Sequence, residues 1–113
     1  MKYEIYQIAN IKSTDYAFRS WDEAKEKFNI NDYRKVYNGD LPQKYILSSI
    51  WEKFNINHPA DFRGHSLSVS DVVALKKDGN DYWYWYYCDS LGWEEITDLM
   101  PQDMGYEVIN KRN

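Results

Sequence analysis

The sequence predicts a single α+β domain, with a mostly antiparallel sheet and two helices packed on it. Its 113 residues suffice for one hydrophobic core but would hardly fill two. Strand-like and helix-like segments alternate in the first half, and the second half is rich in strand-like segments separated by turn residues. Aromatic residues make up 18% of the chain, which is too many for a disordered protein. We therefore expect one domain over 1–113, with 110–113 forming a flexible tail.

The first elements are predicted to be a strand and a short helix. Residues 3–8 are aromatic and β-branched on both parities, which indicates a strand covered on both faces. Ser20 and Glu23 have the spacing of a capping box, so a helix is expected over 21–28.

The next strand and helix follow after a short connection. Residues 32–37 are typical of a strand, and Asn38-Gly39 is expected to end it because both residues tolerate positive φ. Apolar residues recur every three or four positions over 44–55, where Trp51 widens the apolar stripe of a second helix. His58-Pro59 is expected to terminate this helix.

The second half has the period of strands. Residues 72–75 form a compact apolar run, and Asp78-Gly79 is the clearest hairpin turn. The return strand is expected over 82–88, and 93–99 is predicted to be either a strand or a helical turn. A closing strand is predicted over 106–109.

Charge is distributed unevenly along the chain. The net charge is −4, and residues 1–88 hold equal numbers of acids and bases, so the whole excess lies in 89–113. An acidic domain repels phosphate, so direct duplex DNA binding is not expected.

Other classes are disfavoured by simple counts. No apolar run approaches the ~20 residues needed to cross a bilayer, so no membrane association is expected. The start of the chain does not resemble a signal peptide, and the lone Cys88 cannot form an internal disulfide. Both features favour a cytoplasmic location. No Cys/His spacing suits zinc, so neither a metal nor another cofactor is expected.

Six consecutive aromatic residues over 82–87 are the most unusual feature. Cross-strand packing inside the domain would explain them. Alternatively, one strand face binds a protein partner, pairs with a second copy in a homodimer, or stacks on single-stranded nucleic acid. With neighbouring acids supplying charge, the residues predicted to bind a partner are Trp83, Trp85, Tyr87, Trp93, Glu94, Glu95 and Asp98.

The segment 55–73 contains both histidines and a cluster of serine and aspartate residues. Ser68, His65 and Asp71 are the residue types of a hydrolytic triad, but three such residues within seven positions rarely align. No catalytic residue is therefore assigned. A structural turn accounts better for the segment: serines and aspartates bind backbone groups, Gly64 adopts positive φ, and an aspartate holds Arg63. The predicted turn residues are Asp61, Arg63, Gly64, Ser68, Ser70 and Asp71.

Three motifs resemble those of the YodL-like domain family. They are His58-Pro59-x-Asp61-Phe62-x-Gly64-x-Ser66-Leu67-Ser68-Val69-Ser70-Asp71-Val72-Val73, the preceding Ile50-Trp51-Glu52-Lys53-Phe54-Asn55, and the later Tyr87-Cys88-Asp89-Ser90-Leu91-Gly92-Trp93. The opening Ile5-Tyr6-Gln7-Ile8 is also similar. Trp51 and Trp93 stand where the family usually has Tyr and Phe.

The resemblance implies an accessory protein of a phage or other mobile genetic element, because members of that family occur in such elements, often beside anti-restriction genes. On this basis we expect a non-enzymatic protein that inhibits a host defence nuclease in the bacterial cytoplasm. The most concrete form is an anti-CRISPR inhibitor of an RNA-guided (type II) effector nuclease. The alternatives are an interaction module regulating plasmid or conjugative-transfer functions and a single-stranded nucleic-acid-binding domain.

Overall fold

The computed structural model describes residues 1–100 of the chain. The strand predicted over 106–109 and the tail over 110–113 lie outside this part. So do four charged residues of the C-terminal quarter: Asp103, Glu107, Lys111 and Arg112. The described charged residues of the C-terminal quarter are Asp89, Glu94, Glu95 and Asp98.

Within residues 1–100, the fold has five strands and two α-helices. In chain order these are β1 (Lys2–Ile8), α1 (Trp21–Ala24), β2 (Tyr33–Asp40), α2 (Ile46–Ile56), β3 (Val72–Lys76), β4 (Trp83–Asp89) and β5 (Gly92–Glu95). The strands form one antiparallel sheet in the order β2-β1-β3-β4-β5. The predicted α+β class, with two helices and a mostly antiparallel sheet, is confirmed.

The two helices cover opposite faces of the sheet. On one face, Ala24 of α1 joins a buried cluster with Val72 and Ala74 of β3. On the other face, Ile50 and Phe54 of α2 pack against Val73, Leu75 and their neighbours on β1. We call these the α1 face and the α2 face. This arrangement explains why the two parities of β1 and β3 are both apolar.

Local sequence signals correctly predict the start of α1 and the turn between β3 and β4. The Ser20 hydroxyl accepts a hydrogen bond from the Glu23 amide at 3.4 Å and caps α1 as expected. α1 ends at Ala24, earlier than the predicted 21–28, and residues 25–27 continue as turns. Gly79 has φ +72, as the predicted hairpin turn requires.

Two expectations about the strands and helices need correction. Asn38-Gly39 does not end β2, which continues to Asp40, because Gly39 pairs with Tyr3 and leaves room for its ring. Trp51 does not join the buried stripe of α2, since 43% of its surface is exposed. The segment 93–99 contains both predicted alternatives, β5 followed by a 3₁₀ turn over Thr97–Leu99.

Candidate protein-binding surface

The polar loop before β3 converges on one buried carboxylate. Asp71 is 1% exposed, and its Oδ2 accepts hydrogen bonds from the Ser68 amide at 2.8 Å and from Gln7 Nε2 at 3.0 Å. Burial raises the pKa of Asp71 to about 7, although both hydrogen bonds favour the charged form. The carboxylate therefore fastens the loop to the first strand at the centre of the sheet.

Gln7 is the structural residue that sequence reasoning missed. Its Nε2 also donates to the His65 carbonyl at 2.9 Å, and its Oε1 accepts from the His65 amide at 3.2 Å. A polar residue between the apolar Tyr6 and Ile8 of a strand expected to be covered on both faces was the available signal, because a buried polar side chain must find hydrogen-bond partners.

The prediction that Gly64 adopts positive φ is wrong. Glycine is required here because a side chain would not fit. A Cβ at this position would lie 2.3 Å from Gln7 Oε1 and 2.9 Å from the Phe62 ring. The residue with positive φ in this loop is Ser70, at 83°. Its Oγ accepts from the Phe18 amide at 2.9 Å, and its carbonyl accepts from the Tyr33 hydroxyl at 2.6 Å.

The expected pairing of Arg63 with an aspartate is wrong within the described residues. Arg63 donates instead to the Ala60 carbonyl at 3.2 Å. Asp61 accepts from the Tyr37 hydroxyl at 3.1 Å, and Asp71 bonds to Gln7 and Ser68. The loop is held by these hydrogen bonds rather than by an ion pair.

The histidine, serine and aspartate of this loop do not form a relay. The Ser68 hydroxyl donates to the Ser66 carbonyl at 3.0 Å, and His65 Nδ1 lies 2.7 Å from that same carbonyl oxygen. Within residues 1–100, the Asp71 carboxylate bonds to the Ser68 amide and to Gln7, not to the Ser68 hydroxyl or the His65 ring. These groups stabilise a turn, and their geometry provides no activated nucleophile.

The aromatic strand β4 contributes mainly to the core. Trp85 is 1% exposed and packs on Tyr6 with ring centroids 5.4 Å apart. Tyr87 is 0% exposed, packs on Trp21 and donates to the Arg19 carbonyl at 2.6 Å. Trp83 is half-buried on this same α1 face. The expectation that Trp85 and Tyr87 form a partner-binding or base-stacking face is therefore corrected, because the α1 layer covers them.

An apolar groove lies on the α2 face of the sheet, between α2 and the end of β4. Its volume is about 580 Å³, and its lining includes Trp51 and Ile56 from α2, Val69, Cys88 and Trp93. Ile56 is 79% exposed, and Leu91 in the adjoining β4–β5 turn is 96% exposed. Burial raises the pKa of the Cys88 thiol to about 12, so this cysteine is not a thiolate at neutral pH. We call this site the tryptophan groove.

The acidic residues predicted to bind a partner do not line the groove: Glu94 and Glu95 lie on β5, and Asp98 lies in the 3₁₀ turn that follows it. Glu94 and Glu95 pair in register with Tyr87 and Tyr86, which face opposite sides of the sheet, so the two acids also lie on opposite sides. Glu95 accepts from the Thr97 hydroxyl at 2.8 Å. Within residues 1–100, no ion pair involves Glu94, Glu95 or Asp98. All three are exposed.

These features separate two regions of the domain. The polar loop is fixed by hydrogen bonds to the buried Asp71 and Gln7, and the tryptophan groove adjoins a strand whose exposed carboxylates form no ion pair within residues 1–100. Among the described residues, no group of acids, histidines or cysteines could hold a metal ion, and no helix is long and apolar enough to span a membrane.

The sequence comparison identifies the family. A family model, the YodL-like domain, matches residues 2–99, so the chain belongs to that family. No curated protein and no solved structure matches the chain. The match extends from β1 through the last described turn and includes every element that builds the groove.

Proposed function

We propose that this protein acts by binding, without catalysis, to a host nuclease in the bacterial cytoplasm and inhibiting it. The observation that carries the proposal is strand β5, whose exposed acids form no ion pair within residues 1–100 and whose Trp93 lines the tryptophan groove. Interfaces between proteins commonly have an apolar core containing aromatic anchors and a polar rim.

The charges favour a nuclease as the partner. Nucleases hold the nucleic-acid backbone with lysine and arginine side chains, and exposed carboxylates complement those cations. Glu94, Glu95 and Asp98 are free of ion pairs within residues 1–100, so binding would not require breaking an internal one. An RNA-guided type II effector, whose basic channel holds a heteroduplex and a displaced strand, is the concrete candidate.

A non-enzymatic role agrees with the geometry of the polar loop. Ser68, His65 and Asp71 each bond to backbone or amide groups of the domain. Their hydrogen bonds hold the turn, so a mechanism of inhibition by occupation is favoured over one by hydrolysis.

A cleavage assay with type II RNA-guided nucleases tests the proposal. With the inhibitor added in excess before the target duplex, we expect cleavage to be suppressed. Glu94→Lys should slow association at least about tenfold at low salt, because it replaces an attractive charge with a repulsive one. Glu26→Lys makes the same charge change on the exposed surface after α1 and should leave association within about twofold of wild type.

Two results would contradict the proposal. Unimpaired cleavage by several effector types at large inhibitor excess would exclude this class of target. Equal association rates of the wild type and the Glu94→Lys variant with the nuclease at low salt would exclude β5 as the contact surface.

A further inference from the structure

β5 is an edge strand with backbone groups directed away from the sheet. β4 pairs with one side of β5, and within residues 1–100 no strand pairs with the other side. The Ile96 amide donates inward to the Trp85 carbonyl at 2.8 Å. Because inward and outward groups alternate along an antiparallel strand, the N–H and C=O groups of Trp93 and Glu95 point outward. An extended chain placed alongside would find two donors and two acceptors.

The side chains next to those groups specify what such a chain should carry. Trp93 lines the tryptophan groove, so a residue opposite it would place its side chain toward an apolar lining. Residues opposite Glu94 and Glu95 would meet one carboxylate on each face of the added strand, and neither carboxylate forms an ion pair within residues 1–100. The matching strand is therefore apolar opposite Trp93 and basic at the next two positions.

The same charges disfavour a second copy of this chain on the edge. Antiparallel pairing of β5 with another β5 would bring acids of both copies close together, and like charges on neighbouring strands destabilise the pair. Charged residues on an edge strand are a known protection against self-association. A partner segment of opposite charge does not meet this repulsion.

We infer that β5 receives an extended segment of a partner protein as an additional antiparallel strand, with the order basic-basic-apolar from its N-terminus. The added backbone hydrogen bonds supply affinity, and the groove and the two carboxylates supply specificity. This inference rests on the proposed protein-binding role of the β5 surface, but it does not depend on the partner being a nuclease.

A designed peptide tests the register. The probe is a short, blocked peptide of Thr and Val residues with Lys-Arg-Ile at its centre, titrated into the isotopically labelled full chain. We expect a dissociation constant of about 1 mM or tighter, with the largest amide shifts at Trp93, Glu94 and Glu95. A control peptide with Glu-Glu-Ile should not bind. Shifts confined to other strands, or equal binding of both peptides, would overturn the inference.

A pair of variants at one position tests the backbone contact. Glu95→Pro removes the outward N–H, whereas Glu95→Gln removes the charge and keeps that donor. We expect the proline variant to bind the probe at least about tenfold more weakly than the glutamine variant. Should the proline variant fail to fold, the wild type is titrated with a probe N-methylated at the residues that donate to β5, and the same loss is expected. Strand addition would be overturned if the proline and glutamine variants bound the probe equally, or if the N-methylated and unmodified probes bound the wild type equally.

Amide exchange of the free protein distinguishes the other occupants. We expect the Trp93 and Glu95 amides to exchange rapidly in the free chain and slowly with the probe. If these amides exchange more slowly as the protein concentration increases, a second copy lies on β5. If they exchange slowly at every concentration, this chain's own residues lie there. Either result overturns the inference. Probe binding without nuclease inhibition would refute the proposed function alone, and inhibition without probe binding would refute the strand addition alone.

Discussion

The polar loop 61–71 and the β5 surface use similar residues in opposite ways. In the loop, Asp71 accepts hydrogen bonds from the Ser68 amide and from Gln7 of β1, which also bonds to the His65 backbone. On β5, Glu94 is exposed and has no ion pair within residues 1–100, and the preceding Trp93 lines the tryptophan groove. The most motif-rich segment is thus the scaffold, and a four-residue edge strand is the candidate binding surface.

The difference shows how to separate structural from functional polar residues. A polar side chain whose hydrogen bonds are made inside the domain stabilises the fold, and removing it leaves buried partners unsatisfied. An exposed charge without a partner contributes little to stability and remains available to another molecule. Stability and binding should therefore respond to different substitutions.

The largest expected effect is that of Gln7→Leu. Leucine has a similar size but leaves Asp71 and the His65 backbone groups without their buried partner. We expect the free energy of unfolding to fall by about 3 kcal/mol, measured by urea denaturation. Gln43→Leu, at an exposed position, is the matched control and should change it by less than about 0.5 kcal/mol. Equal effects of the two substitutions would show that the Gln7 hydrogen bonds do not stabilise the loop.

An effect of similar size that depends on pH is expected for Asp71→Asn. The folded pKa of Asp71, about 7, lies above the unfolded value of 3.8, so the folded state binds the proton more tightly. This contribution to stability is complete below pH 3.8 and is lost as pH rises toward 7. Between pH 4.5 and 7.5, the wild type should therefore lose up to ~3 kcal/mol relative to the variant.

Denaturation of both proteins at the two pH values checks this sign. The other titrating groups are common to both chains, so their contributions largely cancel in the difference. A wild-type advantage that stays constant or grows with pH would mean that the hydrogen bonds from Ser68 and Gln7 outweigh desolvation.

The smallest effect on stability is expected for Glu94→Gln. Because this carboxylate has no ion pair within residues 1–100, its neutralisation should change the free energy of unfolding by less than about 0.5 kcal/mol. Thermal unfolding would detect a larger change. A clear destabilisation would place Glu94 with the structural acids and remove the contrast between the two regions.

Much of the fold was predictable because its signals are local. The Ser20 capping box, the four-residue repeat of α2 and the Asp78-Gly79 turn each depend on neighbours within a few positions. The length of β2 was not, because Gly39 is extended by pairing with Tyr3 on a distant strand. The candidate site was predicted in part: Trp93 lines the groove and the two glutamates lie on β5, whereas Trp85 and Tyr87 are core residues.

The amino-acid sequence by itself determined the α+β class, the family motifs and the excess of acids toward the end of the chain. Tertiary structure decided which aromatic residues are exposed, because both faces of β4 are equally apolar and only the layers packed on them differ. It also decided that Gln7 and Asp71 meet and that β5 lies at an edge. These outcomes depend on contacts between residues far apart in sequence, and a local pattern does not contain them.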